Sequence, residues 1–294
     1  MATSRKKSFL YTFFIFLLTM TLVMGAFALV AYRSIPSTAN INDCFTTSMF
    51  QVELCPKKST YVRYNQLPKH LVSSLIASED ASFYFHQGFD WDEIKDSLEK
   101  SMDAGRWVRG GSTITQQLAK NLYLSKEKSL IRKMKEFFVS KEIEKKLTKT
   151  QIIEKYFNVV EFGKNIYGIR KASQHYFQKS PSELTPAEGA YLISLLPSPI
   201  KYSNSFHANK ELSRYNKSRV NRTLSLLLLQ GKISQEDHDV EAARVDYGLW
   251  SPAPSYESES ASPEGIEEIP QDSSTDTPSE APSMESDIDS SSNF

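Results

Sequence analysis

The sequence predicts a mainly α-helical protein preceded by one transmembrane helix, and three observations carry that reading. Residues 9–32 contain no charge; apolar residues recur at helical spacing from about 61 to 248; and Ser- or Thr-led capping patterns with Pro and Gly stops punctuate that stretch.

The first element is the charge-free run. At about 1.5 Å per residue it exceeds a hydrocarbon core of roughly 30 Å and can span it with some tilt. The apolar core of a secretory signal is much shorter, although Ala26-Phe27-Ala28 matches a cleavage pattern. Arg5, Lys6 and Lys7 precede the run and only Arg33 closely follows it. That bias places residues 1–8 in the cytoplasm and the remainder on the outer, periplasmic side of the cytoplasmic membrane, as a single-pass anchor.

Residues 33–60 read as a linker and entry segment with weak strand character. Cys44 and Cys55 fall here; outside the cytoplasm they could close a short disulfide loop, or remain two free thiols. With the five histidines they form no metal-ligand spacing. Residues 61–248 form the expected folded domain, without an internal repeat. Residues 251–294 are rich in Ser, Pro, Glu and Asp, too polar to offset their chain entropy, and are expected to be disordered. The net charge of zero hides an asymmetry: this tail holds 11 acidic residues and no Lys or Arg, leaving 1–250 at about +11. A basic body suits anionic headgroups, pyrophosphates or nucleic acid.

Within the domain, Leu67, Leu71, Leu75 and Ile76 predict a helix over 66–80, with Pro68 in its first turn. A second helix follows Gly110-Gly111-Ser112 and runs through Gln116, Gln117 and Lys120. A third covers about 129–147. Thr148 and Gln151 form a capping box that starts a fourth, ending near Asn158. Thr185-Pro186-Ala187-Glu188 caps an all-round apolar helix that Pro197 stops, which marks it as core.

Three places could carry chemistry. Glu79 follows Leu71 and Leu75 at four-residue steps, so it sits on an apolar face where desolvation would make it a better proton acceptor. The plainer reading is an exposed acid at a frayed helix end. Asp80, Phe83, His86, Gly88 and Asp90 follow it, an unusual mixture for a chain leaving a helix; His86 alone would more often be structural. The glycines before Ser112-Thr113 allow close approach of the backbone, and the helix start offers N–H groups to an anion. Thr113 and Gln116 have capping spacing, which leaves Gln117 and Lys120 unexplained. The segment lacks the Gly-Lys-Ser/Thr ending of a Walker loop. Finally, Arg132, Lys133 and Glu136 share a helix face that Val139, Ile143 and Leu147 continue inward. Such a ladder is usually solvated, but the apolar continuation argues for a partly buried cationic cluster suited to phosphate or pyrophosphate.

In this order, Glu79-Asp80-x-x-Phe83-x-x-His86-x-Gly88-x-Asp90, Gly111-Ser112-Thr113-Ile114-Thr115-Gln116-Gln117 and Arg132-Lys133-x-x-Glu136 resemble glycosyltransferase family 51, in its monofunctional biosynthetic peptidoglycan transglycosylase branch. Two later segments fit: Ile153-Glu154-Lys155-Tyr156-Phe157-Asn158 with Gly163, where Phe157 stands in place of the usual Leu, and Ala187-Glu188-Gly189-Ala190-Tyr191-Leu192 through Leu196-Pro197-x-Pro199. The likeness covers roughly 60–235. It implies a lysozyme-like glycosyltransferase head with a smaller mobile jaw, about 91–109, close to the bilayer. It further implies lipid II and the nascent glycan strand as substrates, and Glu79 as the base at the acceptor 4-hydroxyl. Glu136 would be the second acid, acting directly or through Mg or Mn. Arg132, Lys133 and Lys120 would neutralise the departing pyrophosphate, while Asp80, Phe83, His86, Ser112, Thr113, Gln117 and Asn121 would bind substrate. No organic cofactor or nucleic acid is expected; cell-wall synthesis proteins are possible partners. With no second domain after Trp250, transpeptidase activity is not expected. A glycan-cleaving muramidase or lytic transglycosylase would share the fold and the acid, but has no pyrophosphate to bind. A non-enzymatic scaffold would not need the acids.

Overall fold

The computed structural model describes residues 2–105, 111–127, 129–209 and 212–248; side chains are described for these apart from 2–10, 27, 28, 30, 31 and 205–209. The chain divides into two units, Met1–Pro254 and Ser255–Phe294. The second unit, and with it the tail expected to be disordered at 251–294, lies outside the described residues.

The mainly α reading holds. The first helix, α1 (Ala2–Arg33), carries exposed Phe13, Phe14, Ile15, Phe16, Leu17 and Leu18. Among the described residues no helix is long and apolar enough to cross a membrane, so the span expected at 9–32 is not found there. The entry segment forms two short antiparallel strands, β1 (Phe45–Thr46) and β2 (Glu53–Leu54), with Phe45 opposite Leu54. Cys44 and Cys55 flank them and are joined in a disulfide, which settles the choice the sequence left open.

The predicted 66–80 helix starts later, as α2 (Lys69–Glu79). Residues Tyr64–Gln66 make a separate 3-10 turn, in which Gln66 Oε1 accepts from Arg63 N at 2.8 Å. Leu67 is then extended, as a residue before proline is pushed to be. The helices α3 (Trp91–Asp103), α4 (Ile114–Tyr123), α5 (Leu130–Lys146) and α6 (Lys149–Val159) follow. Each begins at a side-chain cap: Asp90, Thr113, Ser129 and Thr148 each accept from the backbone N–H three residues on. Extended Leu147 and the cap residue Thr148 are all that separate α5 from α6.

A hairpin of β3 (Glu161–Gly163) and β4 (Ile166–Tyr167) leads into α7 (Ile169–Phe177). Gly168 makes that junction possible. Its φ is +82°, and a Cβ there would stand 2.8 Å from Asn158 O. The helices α8 (Pro186–Leu195), α9 (Pro199–Asn209), α10 (Arg214–Leu229) and α11 (Gln235–Tyr247) complete the domain.

Two centres organise the packing. The apolar α8, buried on every side from Ala187 to Leu195, is surrounded by α2, α9, α10 and α11. The second centre is α4, which packs against α5 and α6. Between them runs one continuous core that includes fully buried Leu71, Leu75, Tyr156, Phe157, Phe162 and Tyr191. Burying side chains of this size is worth about 1.5–3 kcal/mol each. The C-terminus of α2 is thereby held between α4 and α10, and this positions Glu79.

Candidate active site

Glu79 ends α2 with its carboxylate 13% exposed, so the apolar register of Leu71 and Leu75 does carry it inward. Gln117 Nε2 on α4 donates to Glu79 Oε2 at 3.3 Å, and Tyr156 Oη on α6 donates to Gln117 Oε1 at 2.9 Å. From the other side, Arg219 Nη2 on α10 lies 3.5 Å from Glu79 Oε1. Burial and the nearby Glu79 charge hold the Tyr156 phenol well above its ordinary value, so it stays a proton donor to Gln117.

A cleft of about 480 Å³ opens at this point, bordered by Glu79, Ser112, Gln117, Arg219, Arg222 and Thr223. A smaller cavity of about 150 Å³ is also bordered by Glu79 and Ser112, with Asp80, Ser82, Asp90 and Thr113 in its wall. Glu79 and Ser112 therefore border both spaces.

Ser112 links the acid to the cationic helix. Lys133 Nζ on α5 donates to Ser112 Oγ at 2.9 Å and to Glu136 Oε1 at 2.5 Å. Arg132 Nη1 donates to Glu136 Oε2 at 3.1 Å. Glu136 is only 3% exposed, and Val139 and Ile143 below it are fully buried, as their shared face predicts. Arg132 Nε is buried and has no hydrogen-bond partner among the described residues; a buried donor left so is costly unless something completes it. Lys120 on α4 faces the same cluster. Burial lowers its ammonium below the ordinary lysine value; Glu136 opposes this, while Arg132 and Lys133 add to it. Three cations thus converge around one buried carboxylate. Both oxygens of Glu136 are already taken by Arg132 and Lys133, which suits a divalent ion poorly. Among the described residues no three His, Cys, Asp or Glu side chains are grouped to hold a metal.

The remaining expected residues sit behind this surface. Asp80 Oδ1 accepts from His86 Nε2 at 2.8 Å, and Asp80 Oδ2 accepts from Ile114 N, the first residue of α4, at 2.9 Å. Phe83 is fully buried beneath Lys149, whose Nζ is 4.4 Å from the ring centroid. The same Lys149 Nζ donates to His86 O and to Glu144 at 2.7 and 2.8 Å. Gly88 (φ +85°) passes so close to α5 that a Cβ would lie 3.3 Å from Ser140 O, and its carbonyl accepts from Thr113 Oγ1 at 2.9 Å. Asn121 is buried too, its carbonyl turned to Met49 N of the disulfide hairpin. Asp80, Phe83, His86, Gly88 and Thr113 together form a clamp that fixes the chain leaving α2 against the start of α4.

Sequence reasoning missed Arg219, Arg222 and Tyr156. Two arginines three residues apart on a helix whose other face carries Val220, Leu224 and Leu227 were the available signal for the first two. Nothing in the spacing around Tyr156 distinguishes it from a core aromatic.

A profile described as Transglycosylase matches residues 47–226. A biosynthetic peptidoglycan transglycosylase of Azoarcus sp. (strain BH72) is 47% identical over 149 residues, covering 51% of this chain and 64% of that protein. One of Alcanivorax borkumensis is 48% identical over 139 residues, 47% and 57% of the two chains. One of Cupriavidus metallidurans is 39% identical over 189 residues, 60% and 81% of the two. The matched stretch therefore spans less than two thirds of the first two relatives. The crystal structure of penicillin-binding protein 1A from Haemophilus influenzae aligns with 20% identity and a TM-score of 0.34, covering 68% of this chain and 20% of that one. That likeness is too distant to bear on the fold.

Proposed function

Because this chain belongs to the transglycosylase family, we propose that it is a peptidoglycan glycosyltransferase that polymerises lipid II into glycan strands. One observation carries the reading: Glu79 borders a cleft whose Ser112 wall continues into the Arg132–Lys133–Glu136 cluster, with Arg132 Nε buried and unpartnered among the described residues. A base and an anion site are joined through Ser112.

In the reaction, Glu79 takes the proton of the acceptor GlcNAc 4-hydroxyl, and that oxygen attacks C1 of the donor MurNAc from the face opposite the pyrophosphate. The C1–O bond to polyprenyl pyrophosphate breaks, with inversion from α to β. Arg132, Lys133 and Lys120 stabilise the negative charge that grows on the leaving group, the kind of preorganised electrostatic effect that commonly dominates such steps. Glu136 keeps Arg132 and Lys133 in register. A Mg or Mn ion, if one takes part, would have to displace Arg132 or Lys133 from Glu136 or ride on the pyrophosphate, so no step is assigned to it here. Arg219 and Gln117 hold the Glu79 carboxylate from opposite sides.

A bilayer-bound substrate requires a bilayer-adjacent site. Exposed Trp91, Leu98 and Met102 on α3, within the stretch 91–109 assigned to the jaw, supply apolar surface, and Phe85 and Leu130 are exposed outside that stretch. The charge-free run of α1 supports a single-pass anchor in the cytoplasmic membrane with the domain on its outer side.

The test is to supply purified full chain with labelled lipid II in detergent and resolve products by length. Polymer from the native chain and its loss in Glu79→Gln is the expected result. Cleavage of preformed strands without polymer would replace the reading with a lytic one.

A further inference from the structure

A second cleft, of about 500 Å³, shares no lining residue with the one beside Glu79. Its wall includes Phe50, Gln51, Tyr61, Asn165, Tyr167 and Lys171. The Phe50 and Tyr167 rings lie 4.9 Å apart with a 33° tilt, and Lys126 Nζ is 5.3 Å from the Phe50 centroid. Among the described residues, two of the three non-glycine positions with positive φ, Gln51 (+56°) and Asn165 (+64°), border this space. Backbone held in that region tends to collect at ligand sites. Lys171 in this wall has no ion-pair partner among the described residues, whereas Lys58 is neutralised by Glu53.

This cleft is joined to the cationic cluster. The Tyr167 hydroxyl is hydrogen-bonded to the Glu161 carboxylate, and Glu161 interacts electrostatically with both Lys126 and Lys120. Lys120 is the residue that faces Arg132, Lys133 and Glu136.

Paired aromatic faces bind the C–H face of a sugar ring, side-chain amides bind its hydroxyl and acetamido groups, and unpaired ammonium groups bind carboxylates. We propose that this cleft holds the growing glycan strand away from the reacting end, Phe50 and Tyr167 stacking on a sugar while Lys171 meets a carboxylate of its side peptides. The inference rests on the polymerase reading for the identity of the strand. Its consequence is that the strand stays attached between cycles.

Two variants test it in the full chain, Phe50→Ala and Lys171→Glu; Lys171 is exposed, so reversing its charge leaves the core alone. The probes are purified soluble glycan strands with side peptides, the same strands stripped of peptides, and the free side peptide. Intact strands should bind each variant about tenfold more weakly than the native chain, and only Phe50→Ala should weaken binding of stripped strands. With lipid II, both variants should consume substrate within about twofold of the native initial rate but release strands less than half as long. Native-like binding and native product length in both variants would overturn the proposal. Free peptide binding as tightly as intact strands would overturn it as well, leaving a peptide groove. If the native chain makes no polymer, the polymerase reading falls, while the binding experiments still decide what this cleft holds.

Discussion

Replacing Tyr156 by Phe removes one hydroxyl and almost no volume from a fully buried position. In the native protein that hydroxyl donates to Gln117 Oε1 at 2.9 Å, which turns Gln117 Nε2 towards Glu79 at 3.3 Å. The variant leaves a largely enclosed amide oxygen without its donor, at about 1–3 kcal/mol. Rotating the amide does not help, because it turns that oxygen towards the Glu79 carboxylate. A hydrogen bond to a charged group contributes about 1.5–3 kcal/mol, and at 3.3 Å this one belongs at the weak end. A loss of about 1–2 kcal/mol at the transition state corresponds to roughly a 5- to 30-fold fall in rate. Initial rates of lipid II polymerisation across pH, with thermal melting in parallel, read this out. We expect a lower kcat with KM little changed across the pH range. Rates within twofold of native at every pH, or a loss confined to KM, would show that Tyr156 is a core aromatic and nothing more.

Four further outcomes follow from the same geometry. Glu79→Gln should reduce turnover by about 10²- to 10⁴-fold, the usual worth of a general base, with donor binding by equilibrium titration unchanged; a tenfold or smaller loss would remove Glu79 from that role. Lys120 has a lowered folded-state pKa, so its ammonium, and the donor affinity it supports, should be lost as pH rises through that lowered value, earlier than for an ordinary lysine. Over the same window fold stability should rise, because the desolvated charge is relieved; an alkaline limb identical in Lys120→Arg would exclude Lys120 as its source. Gly88→Ala combines a φ of +85° with a Cβ 3.3 Å from Ser140 O and should cost about 1–3 kcal/mol, or roughly 2–12 °C in Tm, and a native Tm would refute the strain. Reducing Cys44–Cys55, whose sequence separation is 11, should lower stability by about 3 kcal/mol in the chain-entropy account, read by melting with and without reductant, and no shift would show that the hairpin holds without it.

Local chemistry made most of the fold legible. Capping at Thr113, Ser129, Thr148 and Thr185, and the breaks at Leu147 and Pro197, depend on residues within a few positions of each other, which is where sequence is most informative. The inward turn of Glu136 was likewise readable from the face it shares with Val139 and Ile143. What lay hidden were meetings between distant segments. Arg219 reaches Glu79 across 140 positions, and Tyr156 reaches Gln117 across 39; no periodicity encodes either. The disulfide depended on two strands pairing, which weak strand character alone could not decide. Phe83, His86 and Asn121 show the opposite case, because polar or aromatic character near a candidate site does not reveal whether a side chain faces the cleft or the core.

The clamp behind Glu79 changes what an alanine scan of this region can mean. Asp80, His86, Phe83 and Lys149 would each score as essential, since removing any one frees the chain that presents the acid to α4. Such variants are conditional: a stabilising osmolyte or a lower temperature should return part of their activity, whereas Glu79→Gln should stay inactive under every condition. Sensitivity to rescue, rather than depth of loss, separates the residues that react from those that hold them still.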